Sequence, residues 1–144
     1  MTVTTVTVPE LSTGTVGETM TAGVITCLPE TPLATVARMM TSYRVHAIVV
    51  FGHDDDLAPW GVVSDMDLVS ALGGHATAGS IAASPVVTTT PDDSLLRAVQ
   101  LMREHATTHL LVEAPETHLP IGVLSTLDVA RAFAAEQGAP ENYG

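Results

Sequence analysis

Apolar and polar positions follow the same order of periods twice along this chain. In the first half, the β-branched run Val24-Ile25-Thr26 is followed by a proline three residues on, which predicts a strand that runs into a turn. Apolar residues then recur at i, i+3, i+4 and i+7, which predicts a helix with one buried stripe formed by Leu33, Val36, Ala37 and Met40. Residues 47–51 form a continuous apolar run, typical of a strand buried on both faces.

The second half repeats this order. Its strand run is Val86-Val87-Thr88, its helical stripe is Leu95, Ala98, Val99 and Met102, and its buried run is 109–112. Matching positions lie 62 apart up to this run (102 − 40) and 61 apart after the next loop (128 − 67). A one-residue insertion in a polar loop between matching apolar patterns indicates two duplicated structural units. Thr31-Pro32 predicts an N-cap followed by a first-turn proline, and Asp93-Ser94 stands at the equivalent place.

The rest of each copy completes the prediction of fold class. Residues 61–63 and 122–124 predict a third strand, and a second helix should begin near Asp65 and Thr126. A strand, a crossover helix and a strand form a parallel pair, whereas a short polar loop forms an antiparallel hairpin. We therefore predict a mixed α/β (α+β) fold of two strand-helix-strand-strand-helix units with pseudo-twofold symmetry. The predicted borders are 16–74 and 78–134, with a flexible lead-in at 1–15 and a flexible tail at 135–144.

Composition narrows the class of partner. Each repeat has fewer than 60 residues and would be marginally stable alone, so we expect a shared core. Charged residues make up 15% of the chain, against about 25% in typical soluble domains, which favours burial of apolar surface between subunits of a homodimer. The net charge is −11 and no lysine is present, which disfavours nucleic acid and anionic membranes as partners. Without an apolar run of ~20 residues or a signal-peptide pattern, the chain is expected to be cytoplasmic.

The residues that could bind a metal ion or take part in redox chemistry do not form a recognisable site pattern in the sequence. Cys27 is the only cysteine, so an internal disulfide and a thiolate metal site are excluded. The loop 53–56 (His-Asp-Asp-Asp) has oxygen ligands for a hard cation, but without EF-hand spacing we interpret it as a solvated acidic loop. His105, His109 and His118 lack the partner pattern of a zinc site. We therefore expect no metal site.

One polar motif is repeated, S-x-x-D, where the third strand passes into the second helix. Ser64 and Asp67 form the first copy, and Ser125 and Asp128 form the second. One interpretation is a helix capping box, in which the serine and the aspartate bond early backbone amides. The other is a ligand site, in which the hydroxyl and the helix start bind a phosphate while the carboxylate accepts from two ribose hydroxyls. The second interpretation describes a nucleoside monophosphate.

The element order, the duplication and the endings GVVSDMDL and GVLSTLDV resemble a tandem pair of cystathionine β-synthase (CBS) domains, a Bateman module, over residues 16–134. The resemblance implies two adenosyl-binding clefts, each built from both repeats. The favoured cleft would contain Ser125, Asp128, Thr26, Val45, His46 and Ala47, and the second would contain Ser64, Asp67, Thr88, Thr107, Thr108 and His109. Serine replaces the commoner threonine in both motifs, and Val49 and Leu111 stand where many members have proline.

These observations lead to a functional hypothesis with two alternatives. We expect a regulatory module, not an enzyme, that binds AMP, ADP, ATP or S-adenosylmethionine and signals its occupancy to an unknown protein partner or to its own oligomer. No cofactor is obligatory, although magnesium would accompany a polyphosphate. The homodimer contact is expected on the second helices, at 68–72 and 129–135. The alternatives are a ligand-free dimerisation scaffold and metal-assisted hydrolysis by the loop 53–56.

The two clefts should differ in their preference for phosphate. Within the motif, the first repeat has Asp65 where the second has Thr126, and a carboxylate near a phosphate opposes binding. Arg44 adjoins the wall predicted for the Asp128 cleft, and Ala106 stands at the equivalent place in the other repeat. The sequence therefore predicts that phosphate-bearing ligands favour the Asp128 cleft.

Overall fold

The computed structural model describes residues 14–52 and 59–136 and contains the two repeated strand-helix-strand-strand-helix units that the sequence predicts. The first repeat contains α1 (Val16–Thr19), β1 (Thr21–Ala22), β2 (Thr26–Cys27), α2 (Leu33–Tyr43), β3 (Ala47–Phe51), β4 (Pro59–Ser64) and α3 (Asp65–Ser70). The second contains α4 (Ala78–Ile81), β5 (Thr88–Thr89), α5 (Leu95–His105), β6 (His109–Glu113), β7 (Pro120–Ser125) and α6 (Thr126–Glu136). Most of the predicted lead-in and tail lies outside the described residues.

The described chain divides into two compact units whose borders differ from those of the sequence repeats. Unit 1 contains residues 14–22, 87–118 and 122–136, and unit 2 contains residues 23–52, 59–86 and 119–121. Helix α1 and strand β1 therefore belong to the unit that holds most of the second repeat. Helix α4 belongs to the unit that holds most of the first repeat. The two repeats exchange their leading segments.

Each unit contains the predicted parallel strand pair. In unit 2 the sheet order is β2-β3-β4, with β2 parallel to β3 and β3 antiparallel to β4. The four-stranded sheet has the order β1-β7-β6-β5, with β5 parallel to β6. Its edge strand β1 is antiparallel to β7, and Thr21 lies opposite Val123. The predicted strand runs that start at Val24 and Val86 are shorter in the structure, where β2 and β5 have two residues each.

Equivalent apolar positions form the core of each unit. Unit 2 buries Leu33, Val36, Met40, Ile48, Val50, Val63 and Ala78. Unit 1 buries their counterparts Leu95, Ala98, Met102, Leu110, Val112, Leu124 and Val16. Burial of one large aliphatic side chain is worth about 1.5–3 kcal/mol, so this shared pattern is a main source of stability. Ala78 and Val16 come from the exchanged segments, and both are fully buried.

The exchanged helical turns are attached by the same backbone hydrogen bonds in both units. In unit 2 the Ala78 amide donates to the Thr31 carbonyl at 2.9 Å, and the Gly79 amide donates to the Pro29 carbonyl at 2.7 Å. In unit 1 the Val16 amide donates to the Asp93 carbonyl and the Gly17 amide donates to the Pro91 carbonyl, both at 2.9 Å. The duplication therefore extends to the connecting segments.

A glycine in the third strand of each repeat allows the exchanged segment to approach. A Cβ atom at Gly122 would lie 2.6 Å from the carbonyl oxygen of Thr21. A Cβ atom at Gly61 would lie 2.8 Å from the Cβ of Ala82. Because real Cβ atoms do not approach this closely, these strand positions require glycine.

The first helices begin one residue later than the sequence predicts. Pro32 is the N-cap of α2 and has no capping side-chain bond, so the predicted Thr31 cap is wrong. Pro32 has extended backbone angles, and the helix therefore starts at Leu33. Ser94, not Asp93, caps α5 and accepts from the Arg97 amide at 3.0 Å.

Candidate ligand-binding site

Both S-x-x-D motifs form complete capping boxes, so the capping interpretation is confirmed. In α6 the Ser125 amide donates to Asp128 Oδ2 at 2.9 Å, and the Asp128 amide donates to Ser125 Oγ at 3.1 Å. In α3 Ser64 and Asp67 make the same two bonds at the same distances. Each box uses one carboxylate oxygen, and the serine hydroxyl can still donate its own proton. A capping role is therefore compatible with ligand binding by the same residues.

Within the described part of the chain, the second carboxylate oxygen of Asp128 has only long contacts. The Asp128 residue is 6% exposed, and its Oδ1 accepts from the Thr21 hydroxyl at 3.5 Å. Arg131 Nη1 lies 3.8 Å from the same oxygen. Both distances exceed those of well-formed hydrogen bonds, so a ligand hydroxyl at a shorter distance would be a stronger partner for Oδ1.

A cavity of about 420 Å³ opens beside Asp128 within unit 1. Its lining includes Glu18, Met20, Thr21, Asp128, Arg131 and Ala132. Pockets for small molecules typically measure about 300–1,000 Å³, so the cavity has the volume for part or all of a nucleoside. Strand β1 brings Thr21 to Asp128 across 107 positions of sequence.

Sequence reasoning missed Glu18, Thr21 and Arg131. Only Arg131 had a local signal, because it lies three residues after Asp128 on a helix and therefore on the same side of it. The position of Thr21 beside Asp128 depends on the pairing of β1 with β7, and no residue near Thr21 in the sequence indicates this pairing.

The matching positions of unit 2 carry different side chains around Asp67. Thr21 corresponds to Ala83 (83 − 21 = 62), Glu18 to Ser80 and Arg131 to Ser70 (131 − 70 = 61). Asp67 itself is half-buried. The first repeat therefore keeps the capping residues, and the positions that match Glu18 and Arg131 carry uncharged serines.

The structure brings together other predicted site residues within each unit. In unit 2 His46 Nδ1 lies 3.0 Å from Asp65 Oδ2, and both side chains are more than half exposed. Ala47 lies opposite Ser64 in the β3–β4 pair. In unit 1 the Thr126 amide donates to the Thr108 carbonyl at 3.0 Å. Asp65 is thus next to a histidine, whereas Thr126 is next to a threonine.

The remaining predicted residues lie on or beside the strands named in the prediction. Thr26 is exposed in β2, Thr88 is exposed in β5, and Val45 is half-buried just before β3. The Thr107 hydroxyl donates to the His109 carbonyl at 3.1 Å. Because each predicted cleft takes residues from both units, its full composition stays a prediction.

The residues after Thr26 and Thr88 differ in chemistry between the units. The Thr89 hydroxyl donates to Asp93 Oδ2 at 2.6 Å, and this bond lowers the pKa of the Asp93 carboxyl. The matching positions in unit 2 are Cys27 and Thr31 (89 − 62 and 93 − 62). Burial raises the pKa of the Cys27 thiol, and the Thr31 hydrogen bond opposes this effect.

Among residues 14–52 and 59–136, no three His, Cys, Asp or Glu side chains are arranged to hold a metal ion. The acidic loop 53–56 lies outside the described residues. No helix in the described part of the chain has the length and hydropathy to cross a membrane.

The CBS domain family matches this chain at residues 16–74 and 78–135. The chain therefore belongs to the CBS domain family, and the resemblance stated above is confirmed.

Solved structures extend the comparison. CBS domain protein PAE2072 from Pyrobaculum aerophilum, complexed with AMP, is 27% identical, with a TM-score of 0.70 over 88% of this chain and 99% of that one. CBSX2 in complex with AMP is 26% identical, with a TM-score of 0.63 over the same shares. The CBS domain pair of protein MJ0100, in complex with 5′-methylthioadenosine and S-adenosyl-L-methionine, has a TM-score of 0.75 over 85% of this chain and 97% of that one. At 16% identity, the MJ0100 match shows the fold alone.

A homoserine O-acetyltransferase from Methanosphaerula palustris is 31% identical over 98 residues, which is 67% of this chain. The match covers 19% of that enzyme, so this chain spans about a fifth of the length of its curated relative.

Proposed function

We propose that this chain is a regulatory CBS pair that binds an adenosine-containing ligand. The proposal rests on the buried carboxylate of Asp128, which lines a cavity of about 420 Å³ and whose Oδ1 has only long contacts to other described residues. Such an oxygen suits the vicinal hydroxyls of a ribose. Two relatives with 26% and 27% identity are complexes with AMP, which supports the same class of ligand here.

The proposed ligand carries few phosphates. A surface with a net charge of −11 and no lysine disfavours the roughly four charges of a triphosphate unless magnesium neutralises them. AMP, ADP or S-adenosylmethionine should therefore bind more tightly than magnesium-free ATP.

The two motifs should bind phosphate unequally. Arg131 lies near Asp128, whereas the matching neighbour of Asp67 is Ser70. Asp65 adds a carboxylate at the start of α3, where α6 has Thr126. We propose Ser125 and Asp128 as the favoured phosphate and ribose residues. We also propose Thr26, Val45, His46 and Ala47 as members of that cleft, and Ser64, Asp67, Thr88, Thr107, Thr108 and His109 as members of the weaker one.

Thermal unfolding with adenosine, AMP, ADP, ATP, NAD and S-adenosylmethionine tests the proposal. A true ligand at 100 times its dissociation constant should add about 2.7 kcal/mol to the free energy of unfolding. Stabilisation by at least one adenosyl compound is expected. If every compound leaves the transition unchanged, the ligand proposal fails, and turnover of any compound would replace it with an enzymatic function.

A ligand-free dimerisation scaffold is the second candidate. It is favoured by the completeness of both capping boxes and by the exposed apolar side chains Met66, Val69 and Leu72 on and after α3. In either case we propose a cytoplasmic homodimer whose contact includes the exposed side chains of Val69 and Leu72. Leu68, which lies in the segment expected at the contact, is instead buried in the core of unit 2. Light scattering that gives a monomer mass at micromolar protein would reject the dimer.

A further inference from the structure

Two charged side chains, Arg131 and Glu18, line the unit 1 cavity together with Asp128. Among the described residues that line this cavity, Arg131 is the only cation, and its side chain is 70% exposed. Glu18 lines the same cavity and is fixed by the capping box of α1, where its Oε1 accepts from the Thr15 amide at 2.9 Å. With Asp128, the described part of the lining therefore contains two carboxylates and one guanidinium.

These charges distinguish ligands by the number of their phosphates. A guanidinium is always protonated and forms paired hydrogen bonds with phosphate oxygens, so Arg131 favours one anionic group beside the ribose. Each further phosphate adds negative charge to a cavity in which a fixed carboxylate already lies, and like charges a few ångströms apart repel. The matching residues of unit 2, Ser70 and Ser80, have neither effect.

We propose that Arg131 and Glu18 are specificity residues that make the Asp128 site selective for a nucleoside with a single phosphate. Arg131 binds the phosphate, and Glu18 disfavours additional ones. This inference rests on the proposed function, because it concerns the same site.

Calorimetry with adenosine, AMP and magnesium-free ATP tests the proposal on the full chain. Arg131→Ser copies the residue of the other repeat, and Glu18→Gln keeps an oxygen that can accept from the Thr15 amide. Arg103→Ser, an exposed position on α5 outside the cavity lining, is the matched control for loss of one positive charge. Thermal unfolding of each variant checks that the protein remains folded.

We expect Arg131→Ser to weaken AMP binding by about 10- to 100-fold, as for loss of a hydrogen bond to a charged group, and to leave adenosine binding unchanged. Glu18→Gln should raise ATP affinity relative to AMP affinity by about 3- to 10-fold. Arg103→Ser should change neither the ratio of AMP to adenosine affinity nor the ratio of ATP to AMP affinity.

The outcomes separate this inference from the proposed function. Equal losses of adenosine and AMP affinity in Arg131→Ser, or an unchanged ratio of ATP to AMP affinity in Glu18→Gln, would overturn the specificity roles and leave the adenosyl site standing. If the unaltered protein binds none of the three compounds, the specificity roles are rejected, and the adenosyl site is rejected as well if ADP, NAD and S-adenosylmethionine also leave thermal unfolding unchanged.

Discussion

Asp128 in unit 1 and Asp67 in unit 2 occupy the same place in the same capping box, yet the residues that contact Asp128 have different counterparts in unit 2. Asp128 lies beside a threonine and an arginine, and the matching positions of unit 2 carry alanine and serine. The backbone bonds of the two boxes have identical lengths. The two units therefore share the same capping scaffold and differ in the side chains at matching positions, which under the proposed function would give the two sites different ligand preferences. Structural and binding effects can therefore be separated by making the same change in both units.

The largest expected difference comes from removing the two aspartates. Asp128→Ala and Asp67→Ala each destroy one capping box, so both should cost about 0.5–2 kcal/mol of stability. Asp128→Ala should also weaken nucleotide binding by about 100-fold, because a buried acceptor of ribose hydroxyls is lost, whereas Asp67→Ala should change it by less than about threefold. Calorimetry with AMP measures the difference. Equal losses from the two folded variants would contradict the proposed inequality of the sites.

The second prediction concerns the strand glycines. Gly122→Ala and Gly61→Ala both force a Cβ atom into occupied space, and each should lower the free energy of unfolding by about 1–3 kcal/mol. Gly122→Ala should have the larger effect, since its Cβ meets the Thr21 backbone at 2.6 Å, and it should also weaken AMP binding by displacing Thr21 from Asp128. Urea unfolding and calorimetry test both parts. A fully stable Gly122→Ala protein would show that β1 can pair with β7 without this close approach.

The third prediction converts part of one unit into the other. Asp65→Thr places the residue of α6 at the start of α3 and removes a carboxylate near the Asp67 motif. The variant should raise the affinity of the weaker site for phosphate-bearing ligands by about fivefold, equivalent to about 1 kcal/mol of binding free energy. The change also removes the His46 contact, so His46→Gln is the control. A similar gain in His46→Gln would mean that loss of the contact, and not of the charge, is responsible.

The smallest effect is a pH dependence confined to unit 1. The Thr89 bond depresses the folded-state pKa of Asp93, so its contribution to stability is present above the unfolded pKa of about 3.9 and is lost as the pH falls through the lower folded value. Thr89→Val should therefore reduce stability at pH 7 more than at pH 2. Cys27→Val, the matching change in unit 2, should show no such pH dependence, because its partner Thr31 does not titrate. Urea unfolding at the two pH values distinguishes them.

The sequence predicted features that are encoded locally. The helical stripe from Leu33 to Met40 and its copy are visible because a helix repeats every 3.6 residues, and the capping boxes need only a spacing of three. The start of α2 was placed one residue early because threonine is a common N-cap, although Pro32 is the residue with extended angles.

The exchange of leading segments and the position of Thr21 could not be predicted in this way. Both repeats have the same apolar pattern, so this pattern alone does not indicate which unit Val16 joins. The choice depends on long-range pairing, such as Thr21 opposite Val123, for which neighbouring residues carry no signal. The charged lining of the cavity follows from that choice and was missed with it.

The exchange also orders events during synthesis. Thr21 of β1 is made 102 residues before Val123 of its partner strand β7 (123 − 21). At about 5–20 residues per second, Thr21 waits roughly 5–20 seconds for that strand, while most of unit 2 has already been translated. The nascent chain thus completes most of one half before the other, and the Asp128 cavity forms only after both of its lining segments, 18–21 and 128–132, have emerged.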